Sequence, residues 1–215
     1  MVSMDEGNAA HTVISGLYEL EHLSDSTLYD MKAWVGSPTG RADITNLSRA
    51  TAAEIKTFPE EAAGQLQLRG YLALLNSAGR AGKTTWGPDP WYPVFPFFWL
   101  GAVNSRFRDV FGMVLYNKTG VLVYELWNRN EPAPVPVPVP ALREIEQKSI
   151  RAYRAYEEWR GDDFGSDLII YGSLTLMFIW VVASRGVAVR NTAESARLGN
   201  HIGIGVLLTV LGGFF

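Results

Sequence analysis

The sequence predicts a mainly α-helical protein with a small β-hairpin: a helical N-terminal body, a proline strap, an amphipathic helix and a C-terminal two-helix transmembrane hairpin. Three observations predict it. Helix start and stop residues recur through the first 80 positions. Residues 141–160 carry an apolar stripe of helical period. Two long runs near the C-terminus have no formal charge. Shifts in composition divide the chain into 1–85, the helical N-terminal region; 86–130, an aromatic segment and hairpin; 131–140, the Pro/Val strap; 141–163, the amphipathic helix; and 164–215, the membrane hairpin.

In the N-terminal region, "NAAHTVISGLYELEHL" begins on Asn8 as a cap and places Val13, Leu17 and Leu20 at helical spacing. "SDSTLYDMKAWVGSP" offers Ser24 as a second cap, with Gly36 and Pro38 as a stop. Thr51 and Glu54 have the spacing of a capping box, and so do Thr57 and Glu60, the latter pair with Pro59 in the first turn and Gly79 past the end. All four segments are therefore expected to be helices.

The stretch "SAGRAGKT", residues 77–84, resembles half of a phosphate-binding loop. The pattern GxxxxGK[ST] needs glycine where Ser77 stands, and the loop should follow a strand and open a helix. Here it follows a helical pattern and precedes "TWGPDPWYPVFP", which cannot be helical. No nucleotide is expected.

"WYPVFPFFWLGAV", Trp91 to Val103, is uncharged, broken by prolines and too short to span a bilayer. Trp91, Tyr92, Phe95, Phe97, Phe98 and Trp99 are candidate interfacial aromatics; the competing readings are an aromatic core or a surface covered by a partner. "FGMVLYNKTGVLVYELW" gives two β-prone runs around a turn at Asn117-Lys118-Thr119-Gly120. In "PAPVPVPVP" proline takes every second position, so no two stand three apart and PxxP recognition is excluded. An extended strap lying along a surface is expected. Leu142, Ile145, Ser149, Ala152, Tyr156 and Trp159 then form the stripe of the amphipathic helix, opposite charged pairs such as Glu144–Lys148 and Arg154–Glu158. Under three heptads long, it is expected to pack on its own domain.

Residues 168–184 and 198–215 reach the short end of the window for a bilayer span. The loop between them holds Arg185, Arg190 and Arg197 against Glu194, which places it on the positive side and the N-terminal body opposite. Gly199 and Gly203 form a GxxxG pair, and with Gly205, Gly212 and Gly213 they are expected to pack closely against a protein neighbour. His201 is a candidate ligand for a pigment or haem, set against the commoner headgroup-level role. Asp162, Asp163 and Asp167 lack a histidine or lysine nearby and read as a topology signal or a solvated helix end.

Composition narrows function. The chain has no cysteine, which removes disulfides, thiolate metal sites and cysteine nucleophiles. His11, His22 and His201 show no metal-binding spacing. A net charge of -3, with its acid in residues 1–167, argues against nucleic acid. No catalytic residue, metal or cofactor is expected. The expected function is a non-catalytic accessory subunit of a large membrane-embedded bioenergetic complex, acting in assembly and structural support. Its expected partners are other subunits and the lipid bilayer, and its host a mitochondrial inner-membrane respiratory complex or ATP synthase, with a thylakoid photosynthetic complex as the alternative. Two other classes stand beside it: an oligomeric membrane enzyme or transporter component using His201 or the aspartates, and a membrane-tethered adaptor gripping a partner through the 141–160 helix.

Overall fold

A computed structural model describes residues 2–32, 41–79, 85–131 and 141–160. The chain divides into two units, Met1–Arg160 and Gly161–Phe215, and every described element belongs to the first. The proline strap from 132, residues 80–84 of the glycine-rich loop and the residues expected to form a transmembrane hairpin lie outside the described residues.

The first unit is a mixed α/β fold, which corrects the expectation of a mainly helical body. In chain order it runs α1 (Met4–Glu21), β1 (Thr27–Lys32), β2 (Arg41–Asn46), β3 (Thr51–Thr57), α2 (Glu61–Gly79), β4 (Gly87–Pro88), β5 (Phe97–Trp99), β6 (Val110–Lys118) and β7 (Val121–Asn128), followed by α3 over 141–160. Among the described residues no helix is long and apolar enough to cross a membrane.

α1 starts earlier than Asn8. Ser3 is its cap: the Glu6 N–H donates to Ser3 Oγ at 3.3 Å, and the Ser3 N–H donates to Glu6 Oε2 at 2.8 Å, a reciprocal capping box. Ala10, Val13, Ile14, Leu17 and Tyr18 recur at three and four residues and are buried. Thr27–Lys32 of the Ser24 segment and Thr51–Thr57 are strands, not helices. Thr27, Leu28 and Tyr29 are β-prone residues, and β1 pairs antiparallel with β2 through Leu28↔Thr45 and Tyr29↔Ile44. In β3 the run Ala52 to Ile55 is buried throughout, so the strand lacks the alternation that marks an exposed sheet. Tertiary burial overrides the local helical preference of its two alanines.

The seven-stranded sheet has the order β1-β2-β3-β7-β6-β5, with β4 beside β3. One edge of β3 serves two neighbours in succession. Ala52 O accepts from the Asp89 N–H just after β4, and two residues later the Glu54 N–H donates to Gly120 O at the start of β7. Both contacts are parallel, whereas β2–β3 and β6–β7 are antiparallel. The β6–β7 turn is the expected hairpin: Thr119 and Gly120 both have positive φ, as a two-residue type I′ loop requires.

Helices cover both faces. Along β7, Leu122 and Tyr124 point to the α1 face, while Val121 and Val123 point to α2 with Leu68, Tyr71 and Leu75. The stripe of α3 packs inward: buried Ala152 and half-buried Tyr156 and Trp159 join the α1 cluster, and half-buried Leu142 and buried Ile145 pack with Phe111 and Trp127. The two helices touch where α1 has no side chain. A Cβ on Gly16 would stand 2.0 Å from the Ala152 carbonyl oxygen, a clash with main chain that a rotamer change cannot relieve.

Gly16→Ala should therefore destabilise the fold by about 2 kcal/mol, overpacking outweighing the roughly 1 kcal/mol gain in helix propensity. Urea unfolding of the two proteins side by side checks this, and an unchanged midpoint would show that α1 and α3 do not meet here.

Candidate functional site

The strongest chemical cluster lies where β2 parts from β3. The strands pair from Asn46↔Thr51 to Ile44↔Ala53 and no further. The next donor on that edge, the Ile55 N–H, is taken by a side chain instead: Asp43 Oδ2 accepts it at 2.7 Å. The other Asp43 oxygen lies 3.2 Å from His11 Nδ1 on α1. Lys56 Nζ stands 3.8 Å from Asp43 Oδ2 and 3.0 Å from Glu54 Oε2. Glu54 and Lys56 are two apart on a strand and so share a face, the one α2 covers. α2 has glycine at position 64 above them: a Cβ there would come within 2.6 Å of Lys56 Cγ.

Glu54 is fully buried, and neither of its oxygens has a hydrogen bond of acceptable geometry. Lys56 is close enough to attract it but does not satisfy it. Burial first, then the neighbouring Asp43 carboxylate, push the Glu54 carboxyl up to about 9, against the opposing pull of Lys56. Asp43 moves the other way. Burial would raise it, but His11, the Lys56 ammonium and the Ile55 N–H together hold it below the usual carboxylate range. Burial works against the Lys56 charge in the same way, and Asp43 with Glu54 outweighs it. At neutral pH the cluster is a protonated Glu54, an ionised Asp43 and a charged Lys56.

One acid beside one base is the arrangement that general acid–base chemistry uses. Here no substrate can touch the acid, because Glu54 lies within the sheet beneath α2. Nor do the carboxyls converge on a cation: the Lys56 ammonium already occupies the space between them, and among the described residues no group of His, Asp and Glu could hold a metal ion. The cluster titrates the fold.

A second polar knot sits at the opposite end of β3. Asp89 accepts from Tyr18 Oη at 2.8 Å, from Thr51 Oγ1 and from the Trp91 N–H at 2.9 Å. Asn46 Nδ2 donates to both Tyr18 Oη and Asp25, and Asp25 also pairs with Arg49. Burial pushes the Tyr18 phenol up; the Asn46 amide opposes and Asp89 adds to it, so the group stays a donor. This knot is fully bonded and ties α1, β2, β3 and the "GPDPW" turn together.

The aromatic segment is divided between core and surface. Phe98 is in the core, and Trp91 is buried with Nε1 donating to Glu21. Phe95, Phe97 and Trp99 pack around Phe111, Trp127 and α3; the Trp99 N–H donates to Ser149 Oγ, and Lys148 Nζ lies 3.8 Å above the Phe95 ring. Tyr92 alone of the six is exposed. Gly199, His201, Gly203, Gly205, Gly212 and Gly213 lie outside the described residues. No protein-family model, no curated protein and no solved structure matches this chain.

Two outcomes are expected. The folded Glu54 carboxyl is raised from 4.5 to about 9, so its contribution to stability is present below the unfolded value and is lost as pH rises toward 9. By pH 7 roughly 3 kcal/mol has gone. Glu54→Gln should therefore melt higher than the wild type at about pH 9 and flatten the alkaline fall of the melting temperature. Equal alkaline slopes would rule out a protonated Glu54. Asp89→Ala strands three donors and should cost about 3 kcal/mol, read as an earlier denaturant midpoint.

Proposed function

We propose that the chain is a non-catalytic accessory subunit attached to a membrane by its C-terminal segment, giving structural support within a larger assembly. The observation that carries this reading is the change of composition past Arg160. A helix with charges on one face gives way, after Asp162, Asp163 and Asp167, to two uncharged runs separated by an arginine-rich loop.

The described domain supports the reading from the other side. Its paired-carboxyl cluster is closed inside the sheet, and the buried polar groups around Asp89 are bonded to one another. The apolar stripe of α3 is used against α1, β5 and β6, which weighs against an adaptor gripping a partner through that stripe.

The full chain should resist alkaline carbonate extraction from membranes, and a chain truncated after Arg160 should be released. In gently solubilised membranes, native electrophoresis with mass spectrometry of co-migrating proteins should place the full chain in a larger particle. A full chain released by carbonate would overturn the attachment, and a particle of the chain's own mass would overturn the accessory role.

A further inference from the structure

We propose that the end of the domain around the α1 C-terminus, carrying Leu20, Leu23, Tyr92 and Val94, rests on a neutral phospholipid surface; this builds on the membrane attachment argued above. The described domain leaves seven large hydrophobic side chains exposed, and four are these: Leu20 at 36%, Leu23 at 74%, Tyr92 at 42% and Val94 at 88%. Glu21 gathers them into one patch. Its two carboxylate oxygens accept from Trp91 Nε1 at 2.8 Å and from the Val94 N–H at 3.1 Å, so the 91–94 segment is pinned beside the last turn of α1.

The chain leaves the described domain at the same end. Trp159 Nε1 donates to Thr27 O at 3.0 Å, and its ring meets Tyr29 edge-on at 4.7 Å. Tyr29 Oη in turn donates to Glu19, one residue from Leu20. The last turn of α3 is thus stitched to the last turn of α1. The first uncharged run begins at Leu168, eight residues beyond Arg160. Eight extended residues span at most about 28 Å. The tether starts beside the patch and keeps this end of the domain within about 28 Å of whatever surface takes up that run.

Charge selects the kind of lipid. Glu19, Glu21 and Asp25 stand at this end, each held by a neighbour: Tyr29, the Trp91 and Val94 N–H groups, and Asn46 with Arg49. They need no outside partner, yet their negative charge disfavours an anionic surface. Leucine, valine and tyrosine side chains above bonded carboxylates suit a zwitterionic headgroup layer.

The chain has no cysteine, so a single substitution gives a single thiol for labelling. Leu23→Cys and Val94→Cys report on the patch. Met4→Cys is the control: it is 80% exposed and apolar too, but lies at the other end of α1, about 25 Å away. Each full chain carries an environment-sensitive fluorophore and is reconstituted into phosphatidylcholine vesicles containing a headgroup nitroxide quencher. The labels at 23 and 94 should shift to the blue and lose roughly half their emission to the quencher, with the label at 4 unchanged. A chain that floats with the vesicles while 23 and 94 stay unquenched overturns the inference and leaves the attachment standing. A chain that does not float overturns both.

Discussion

Seven residues of β3 have to satisfy three strands and a side chain, and the domain is arranged around that demand. On one edge Ala52 and Glu54 hand over from β4 to β7 within two residues. On the other, β2 supplies partners as far as Ile44 and then withdraws, so the Ile55 N–H takes the Asp43 carboxylate. An unpaired main-chain donor inside a sheet costs as much as a lost hydrogen bond, and a carboxylate is a strong enough acceptor to replace a carbonyl there. Asp43 must be ionised to do this well. That requirement brings Lys56 and His11 to it, and the Asp43 charge adds to the larger effect of burial in keeping the proton on Glu54.

The two polar knots at the ends of β3 differ in the kind of donor each acid receives. Asp89 has three donors, two hydroxyls and a main-chain N–H. Asp43 has one main-chain donor, a histidine and an ammonium, and it shares the ammonium with a second carboxyl that has no hydrogen bond of its own. Bonded networks of the first kind rigidify a core; a carboxyl left as Glu54 is left makes stability follow pH. The alkaline sensitivity therefore belongs to the β3–β7 seam rather than to the α1 end, where Tyr18 and Asp89 sit.

What the sequence made legible was whatever one segment decides alone. The stripe of α3, the hairpin at Thr119-Gly120 and the body of α2 follow from periodicity and turn chemistry within a few residues. β1 and β3 do not. Ser24 and Thr51 carry capping residues that a loop or strand start uses equally well, and β3 is covered on both faces, which removes the alternation that would have identified it. The Asp43 cluster was further out of reach. Its members come from positions 11, 43, 54 and 56, brought together by a register that stops at Ile44↔Ala53. Glu54, read as the closing N3 residue of a capping box, is the buried acid. The one local signal available was two charges two apart between buried-type residues, in "AEIK".

The aromatic segment shows how the same residues separate an internal role from an external one. Trp91, Phe98 and Trp99 each find a partner for their polar edge or a place in the core, and this fixes the backbone of residues 91–99 against α1, β6 and α3. Once the backbone is fixed, Tyr92 and Val94 have little choice of direction, since neighbours of an inward-facing residue in extended chain face outward. Their exposure is thus a consequence of burying the tryptophans. It remains next to the exit of α3 because Trp159 is bonded to Thr27, which follows α1 by six residues. The patch is tied to the core by the Trp91 and Val94 bonds to Glu21, and the last turn of α3 by the Trp159 bond to Thr27, so two separate sets of bonds converge on the segment that closes α1.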